Sequence, residues 1–203
     1  MKDLVVVVPD SNTEQTLYGL LERHKALQIR RIEYRILVHP ERDPGVLQRG
    51  ASLLAEIDAL NAFRYALLIF DREGCGREML TSSELEQQVQ QQLDASGWQG
   101  RSAVVVIDPE LESWVFSTSP HVVDVFAGGD AEVFQRVVES FPKTPLGKPQ
   151  KPKEAVEKLL RQKAIVRASA LYKELASRVS LKGCIDPAFQ RLCAILRSWF
   201  PQD

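Results

Sequence analysis

Cysteine is scarce in this chain: Cys75, Cys184 and Cys193 are scattered, odd in number and without metal-ligand spacing. That excludes a disulfide framework and a Cys-based zinc site, and free thiols in a reducing compartment are expected. Histidine is equally rare, and His24, His39 and His121 have no glycine-flanked nucleophile to serve, so no Ser–His–Asp arrangement is visible. An excess of one charge is missing as well. With 26 Lys and Arg against 27 Asp and Glu, the formal net charge is -1. No global basic field marks the surface for nucleic acid, so phosphate binding has to be local or metal-assisted. No apolar run approaches the ~20 residues of a membrane helix, and no signal peptide precedes the first strand. A soluble, cytoplasmic protein with no membrane partner is the expectation.

What is present is an ordinary globular composition. The 203 residues, 44% hydrophobic and 26% charged, suit one domain, or one domain plus a helical appendage. The stretch that organises the rest is YALLIFDREGCG, residues 65–76. Ala66 to Phe70 is a short continuous apolar run, the pattern of a parallel strand buried on both faces. At its carboxyl end come Asp71 and Glu73, two apart and therefore projecting to one side of an extended segment, then Gly74 and Gly76. Such a pair suits a hard cation, and the glycines permit a sharp turn or a close phosphate. A strand followed by a polar turn is the plainer reading.

The same grammar recurs along the chain. Residues 4–8 are a second buried run, ending in Pro9 and Asp10, with capping residues and a helix predicted over 14–26. Residues 30–38 alternate and predict a half-exposed or edge strand; 41–45 read as a polar loop and 46–62 as a helix. Thr81 to Glu84 offers caps for a Gln-rich helix. Residues 103–107 form a fourth strand ending in Asp108, and Glu110 and Glu112 open the next helix. An acid at a helix start also complements the helix dipole, worth ~0.3–1 kcal/mol, which accounts well for one acid per junction and less well for two. The alternation predicts an α/β fold with a mostly parallel four-stranded sheet and helices on both faces, over residues 1–118. A helical extension over 119–203 is expected to pack on it. Its Pro- and Lys-rich bridge at 141–153 reads as a linker or mobile basic loop. The tail after it predicts three helices. Its basic residues Lys158, Arg161, Lys163, Arg167 and Lys173 are more readily a solvated face than a phosphate contact.

In a parallel sheet the ends of the first, third and fourth strands lie along one edge. Asp10 and Glu14, Asp71 and Glu73, and Glu110 and Glu112 are therefore expected to gather there. Crowded carboxylates repel unless a cation neutralises them, and an all-oxygen set suits Mg²⁺ or Mn²⁺.

These segments resemble the TOPRIM-type domains of small prokaryotic proteins. Asp10-Ser11-Asn12-Thr13-Glu14 is similar to their E-G-x-T-E opening, Asp71-Arg72-Glu73 to their D-x-D segment, and Glu110-Leu111-Glu112-Ser113-Trp114 to the E-x-E-x-W run after their last strand. Lys151-Pro152-Lys153, Tyr172-Lys173 and residues 184–189 are similar to the helical ending of the stand-alone group. The resemblance implies a TOPRIM-like fold, Mg²⁺ bound through the first acid and the D-x-D pair, phosphodiester chemistry, and a place in prokaryotic antiphage systems with other defence proteins. Asp10 and Ser11 replace Glu and Gly, and Glu73 replaces the second Asp. A carboxylate is kept each time, but its reach changes by about one methylene, which matters to an octahedral cation.

Two functions of different class follow. One is a Mg²⁺-dependent phosphodiesterase or nuclease with Asp10, Glu14, Asp71 and Glu73 as catalytic acids. Asp10, Asp71, Glu73, Glu110 and Glu112 would be the metal ligands, and Lys148, Lys151 and Lys153 would steer nucleic acid. The other is a non-catalytic sensor or adaptor subunit of a multi-protein defence complex, favoured by the near-neutral charge and the altered acids. A receiver-like phosphoacceptor leaves the helical tail without a use, and a D-x-D-x-T phosphatase motif is not met by Asp71-Arg72-Glu73-Gly74-Cys75.

Overall fold

The computed structural model of the chain describes residues 1–57 and 59–202. Four strands, β1 (Lys2–Val8), β2 (Tyr34–Val38), β3 (Phe63–Asp71) and β4 (Ser102–Ile107), form one sheet in the order β2-β1-β3-β4. All three pairings are parallel, so the predicted common edge of strand ends is realised. Residues 4–8, 66–70 and 103–107 are apolar at every position because both faces of the sheet are covered there. Leu4, Val6, Val8, Leu67, Ile69, Val105 and Ile107 enter one core, and the alternate residues Val5, Val7, Leu68, Phe70, Val104 and Val106 enter another. β2 lies at the edge, with Ile36 buried and Val38 exposed.

The chain steps outward from β1 to β2, then crosses back over β1 to β3 and on to β4. Right-handed crossovers taken in opposite directions put their helices on opposite faces. Accordingly α1 (Ser11–Leu21) and the short α2 (His24–Leu27) cover the first face, whereas α3 (Arg42–Glu56), α4 (Ala59–Ala62) and α5 (Ser82–Leu93) cover the second. The order reverses between β1 and β3, and the carboxyl ends of those two strands form the crevice where such sheets bind ligands.

Two helices depart from the expected extents. The helix predicted over 14–26 breaks after Leu21, where Arg23 turns to hydrogen-bond the carbonyls of Ala176 and Val179 at 2.8 and 2.7 Å. The helix predicted from 46 starts at Arg42 instead. Proline is tolerated in a first helical turn, where its missing N–H is not needed, so Pro44 lies inside the helix rather than in a loop. Gly45 is there for space: a Cβ would come within 2.1 Å of the buried His39 ring.

Beyond β4 the chain is mainly helical: α6 (Glu112–Val115), α7 (His121–Ala127), α8 (Ala131–Glu139), α9 (Pro152–Gln162), α10 (Ser169–Arg178) and α11 (Pro187–Trp199). α10 packs along α1 and α11 against β4. Leu159 of α9, Tyr172 and Leu175 of α10, and Phe189 and Leu196 of α11 share the first core with β1 and β3, so the extension completes the sheet's cover.

The bridge before α9 departs from the predicted mobile loop. Lys143 and Pro149 form an antiparallel bridge around a turn at Gly147, and Lys143 Nζ donates to the Val138 carbonyl. Lys148, largely shielded, pairs with the buried Asp186 at 3.0 Å. Asp186 also accepts from Trp114 Nε1 and caps α11 through the N–H groups of Ala188 and Phe189. A paired, desolvated lysine anchors this segment, which its proline content alone did not reveal. Among the described residues, no helix is long and apolar enough to cross a membrane.

Candidate functional site

At the carboxyl edge of the sheet lies a cavity of about 480 Å³. Asp10 follows β1, Asp43 sits in the first turn of α3 after β2, Asp71 ends β3, and Glu110 and Glu112 follow β4. Four of the five follow the ends of β1, β3 and β4, and the fifth, Asp43, enters through α3, because β2 runs into His39 and Pro40 instead.

Asp71 is the centre. Its Oδ1 is sealed from solvent and has no hydrogen-bond partner. Burial, then the charges of Asp43 and Glu112, pushes its carboxyl well above the usual range, with a backbone contact from Leu111 as a smaller opposing effect. Asp43 Oδ1 accepts the Asp71 backbone N–H at 2.8 Å. Burial raises Asp43 to about 6, with Asp10 adding to the effect. Burial and neighbouring like charge thus favour the protonated forms of Asp71 and Asp43.

Asp10 does what a helix start asks of it. Its Oδ1 accepts from the Thr13 N–H at 2.9 Å and the Thr13 hydroxyl at 3.0 Å, capping α1. Glu73 is exposed at the rim and anchors its loop by donating its backbone N–H to Pro109 O at 2.9 Å. Glu14, one turn into α1, does not line the cavity. Its carboxylate follows the helix, not the strand end.

Glu110 and Glu112 are both engaged with the helical extension. Glu110 Oε1 accepts the Lys153 backbone N–H at 2.9 Å, so it caps α9, a helix that begins 42 residues later at Pro152, rather than its own. Burial, then Glu112 and Glu73, raises its carboxyl to about 7. Glu112, 4% exposed, accepts from the Tyr172 hydroxyl at 2.6 Å, with Arg167 at 3.9 Å. Burial and this acid push the Tyr172 phenol well up.

Of the lysines singled out in the sequence, Lys151 and Lys153 line the cavity and Lys148 does not. Lys151 pairs with Glu154 at 2.6 Å. Of the tail's basic residues, only Arg167 reaches the cavity; Lys158, Lys163 and Lys173 bond Ser140, Asp130 and Glu22 elsewhere. Sequence reasoning missed Asp43 and Arg42, and it named Tyr172 only within the resemblance, with no role at the site. Asp43 carried a usable signal, an acid just past a strand end as at Asp10 and Asp71, hidden by Pro44-Gly45. Arg42 carried none.

Among the described residues, no group of three or more His, Cys, Asp or Glu side chains is arranged to hold a metal ion. The donors are all oxygens and suit a hard cation, but Glu110, Glu112 and Asp43 are turned to other partners. Comparison of the chain with protein-family models, curated proteins and solved structures finds no match.

Proposed function

We propose that this protein is a TOPRIM-like, Mg²⁺- or Mn²⁺-dependent phosphodiesterase acting on nucleic acid as a component of a prokaryotic antiviral defence system. The observation that carries the reading is the orphaned, buried Oδ1 of Asp71 at the topological switch point. An unpartnered carboxylate oxygen is costly unless something supplies its missing partner, and a hard cation does so. Asp71 would hold it; among the described residues no three acids are arranged around a cation, so Asp43 and Asp10, whose Oδ1 atoms serve the Asp71 N–H and Thr13, would have to turn in to join it. A bound cation of this kind activates water and offsets charge on a phosphate. The chain's own contributions are distinct. Lys151, Lys153, Arg42 and Arg167 hold the phosphate oxygens through charge-assisted bonds. Glu110, raised to about 7, exchanges a proton near neutral pH, as a general acid or base requires.

A second reading has its own support. Glu110, Glu112 and Asp43 are committed to Lys153, Tyr172 and Asp71, as they would be in a sensor or adaptor subunit whose acids serve only the fold. The deciding measurement is phage protection by an Asp71→Ala strain with protein level checked, beside cleavage of DNA and RNA in Mn²⁺ by Asp71→Asn. Loss of protection and at least 100-fold slower cleavage is the expected result. Full protection without Asp71 would hand the function to the adaptor reading.

A further inference from the structure

We propose that the outer edge of β2 is an interaction surface whose occupant is the same edge of a second copy of this chain. The two strands pair antiparallel across a two-fold axis at Ile36. The inference is independent of the chemistry of the cavity.

The two edges of the sheet are finished differently. On β4, side chains take the place of a missing neighbour strand. The Val106 N–H donates to Glu86 Oε1 at 3.1 Å, Arg191 Nε donates to the Val104 carbonyl at 3.1 Å, and Arg191 and Glu86 pair with each other at 3.1 Å. One residue of a neighbouring parallel strand would make the same two bonds to the backbone. β2 has no such cover. Glu33 and His39, which flank it, bond Leu4 and Val8, so Arg35 and Leu37 between them serve the β1 ladder. The N–H and C=O groups of Tyr34, Ile36 and Val38 face the other way and meet no hydrogen-bond partner among the described residues. Such an edge is a template for another strand.

The side chains select the occupant. An antiparallel two-fold at Ile36 sets Tyr34 opposite Val38, Arg35 opposite Leu37, and Ile36 opposite its own copy. The outward N–H groups of each copy then all meet carbonyls of the other. Tyr34 and Val38 make an aromatic and β-branched pair, which is favoured across strands. Val38, 40% exposed although apolar, is covered by it. On the opposite face the stem of the exposed Arg35 lies along the half-buried Leu37. No charged residue stands directly opposite Arg35, and a net charge of -1 opposes self-association little.

Other registers fail for local reasons. Moving the axis to Val38 brings Pro40 into the ladder, and proline has no N–H to give. Moving it to Tyr34 calls on Arg30, whose N–H is already held by the Phe200 carbonyl at 3.1 Å. The axis at Ile36 stands perpendicular to the sheet and reverses the strand direction, so the two cavities open at opposite ends of the dimer. A five-residue edge is small beside a standard interface, so a dissociation constant on the order of 10–100 µM is expected.

The test is sedimentation equilibrium of the full chain from about 1 to 300 µM, with amide hydrogen exchange at both ends of that range. The mass should rise from 22.9 kDa toward twice that value. The amides of Tyr34, Ile36 and Val38 should exchange at least fivefold more slowly at high concentration, and those of β4 should not change. Val38→Pro removes an outward N–H without touching the β1 ladder, and Val38→Lys sets a charge on the edge. Each should weaken the dimer at least tenfold, with the dilute protein melting within about 4 °C of wild type. A wild-type chain that stays monomeric throughout overturns the proposal and leaves the edge to an extended segment of another protein. A dimer kept by both variants, or one that leaves the three amides unprotected, puts the interface elsewhere and overturns it as well.

Discussion

Two demands meet at Asp71. As the last residue of a buried strand it is desolvated, and as a neighbour of Asp43 and Glu112 it faces like charge. Asp71→Asn keeps the shape and removes both penalties, so the metal-free protein should melt at an equal or higher temperature. The same change should abolish any rise in melting temperature with Mg²⁺ or Mn²⁺. A pH dependence follows from Asp43 and Glu110. Their folded values, about 6 and about 7, lie above the ordinary carboxylate range. The folded state therefore keeps protons that the unfolded chain has released, and the linked stability is complete below about pH 4. It is lost as pH rises through 6 and 7. Metal-free protein should lose on the order of 2 kcal/mol between pH 5 and 8, read as a melting temperature lower by roughly 4–8 °C. Asp43→Asn combined with Glu110→Gln should flatten that slope. A slope unchanged in the double variant would mean that the two carboxyls are not its source.

At the scale of elements, the site depends on how two helices begin. α3 carries Asp43 into the cavity because its first turn folds over His39, and Gly45 makes that approach feasible. Gly45→Ala puts a Cβ within 2.1 Å of Nδ1, against a buried ring rather than a flexible chain end. It should cost about 1–3 kcal/mol, as overpacking usually does, and denaturant midpoints would show it. α10 supplies Tyr172, the hydroxyl that satisfies Glu112. Tyr172→Phe leaves a buried carboxylate short of its donor, and a loss of about 1–3 kcal/mol is expected. If the variant unfolds at the wild-type midpoint, Glu112 has another partner and the link from the extension to the site is weaker than the geometry indicates.

At the scale of the molecule, the helical extension is part of the same core as the sheet. α9 offers its N-terminus to Glu110, α10 lies on α1, and Tyr172 and Leu175 pack with Leu17 and Val115. A fragment of residues 1–118 would leave only α1 and α2 on the first face of the sheet, exposing the apolar surface of β4 and α1 that α11 and α10 cover. It should be aggregated or molten, binding a hydrophobic dye and showing no cooperative melting. A fragment that melts cooperatively would show that α1 and α2 alone suffice to cover that face.

The sequence by itself determined the sheet and most helices. Runs such as LVVVV and ALLIF have one economical solution, a parallel strand covered on both sides, and a strand ending in an acid is a local signal. That three helices follow the bridge was legible, with Gly183 and Pro187 as punctuation, because such breakers act within a few residues. Only the tertiary structure decided which acids meet. Asp43 looked like a loop residue because proline at a helix start and proline in a turn read alike. Glu110 and Glu112 looked like dipole partners of their own helix, yet one caps α9 and the other binds Tyr172. Lys148 looked free to meet phosphate and is held by Asp186, 38 residues away. The physical reason is common to all of them. A carboxylate's chemistry is set by what desolvates and pairs it, and in this fold those partners arrive from the far side of the chain.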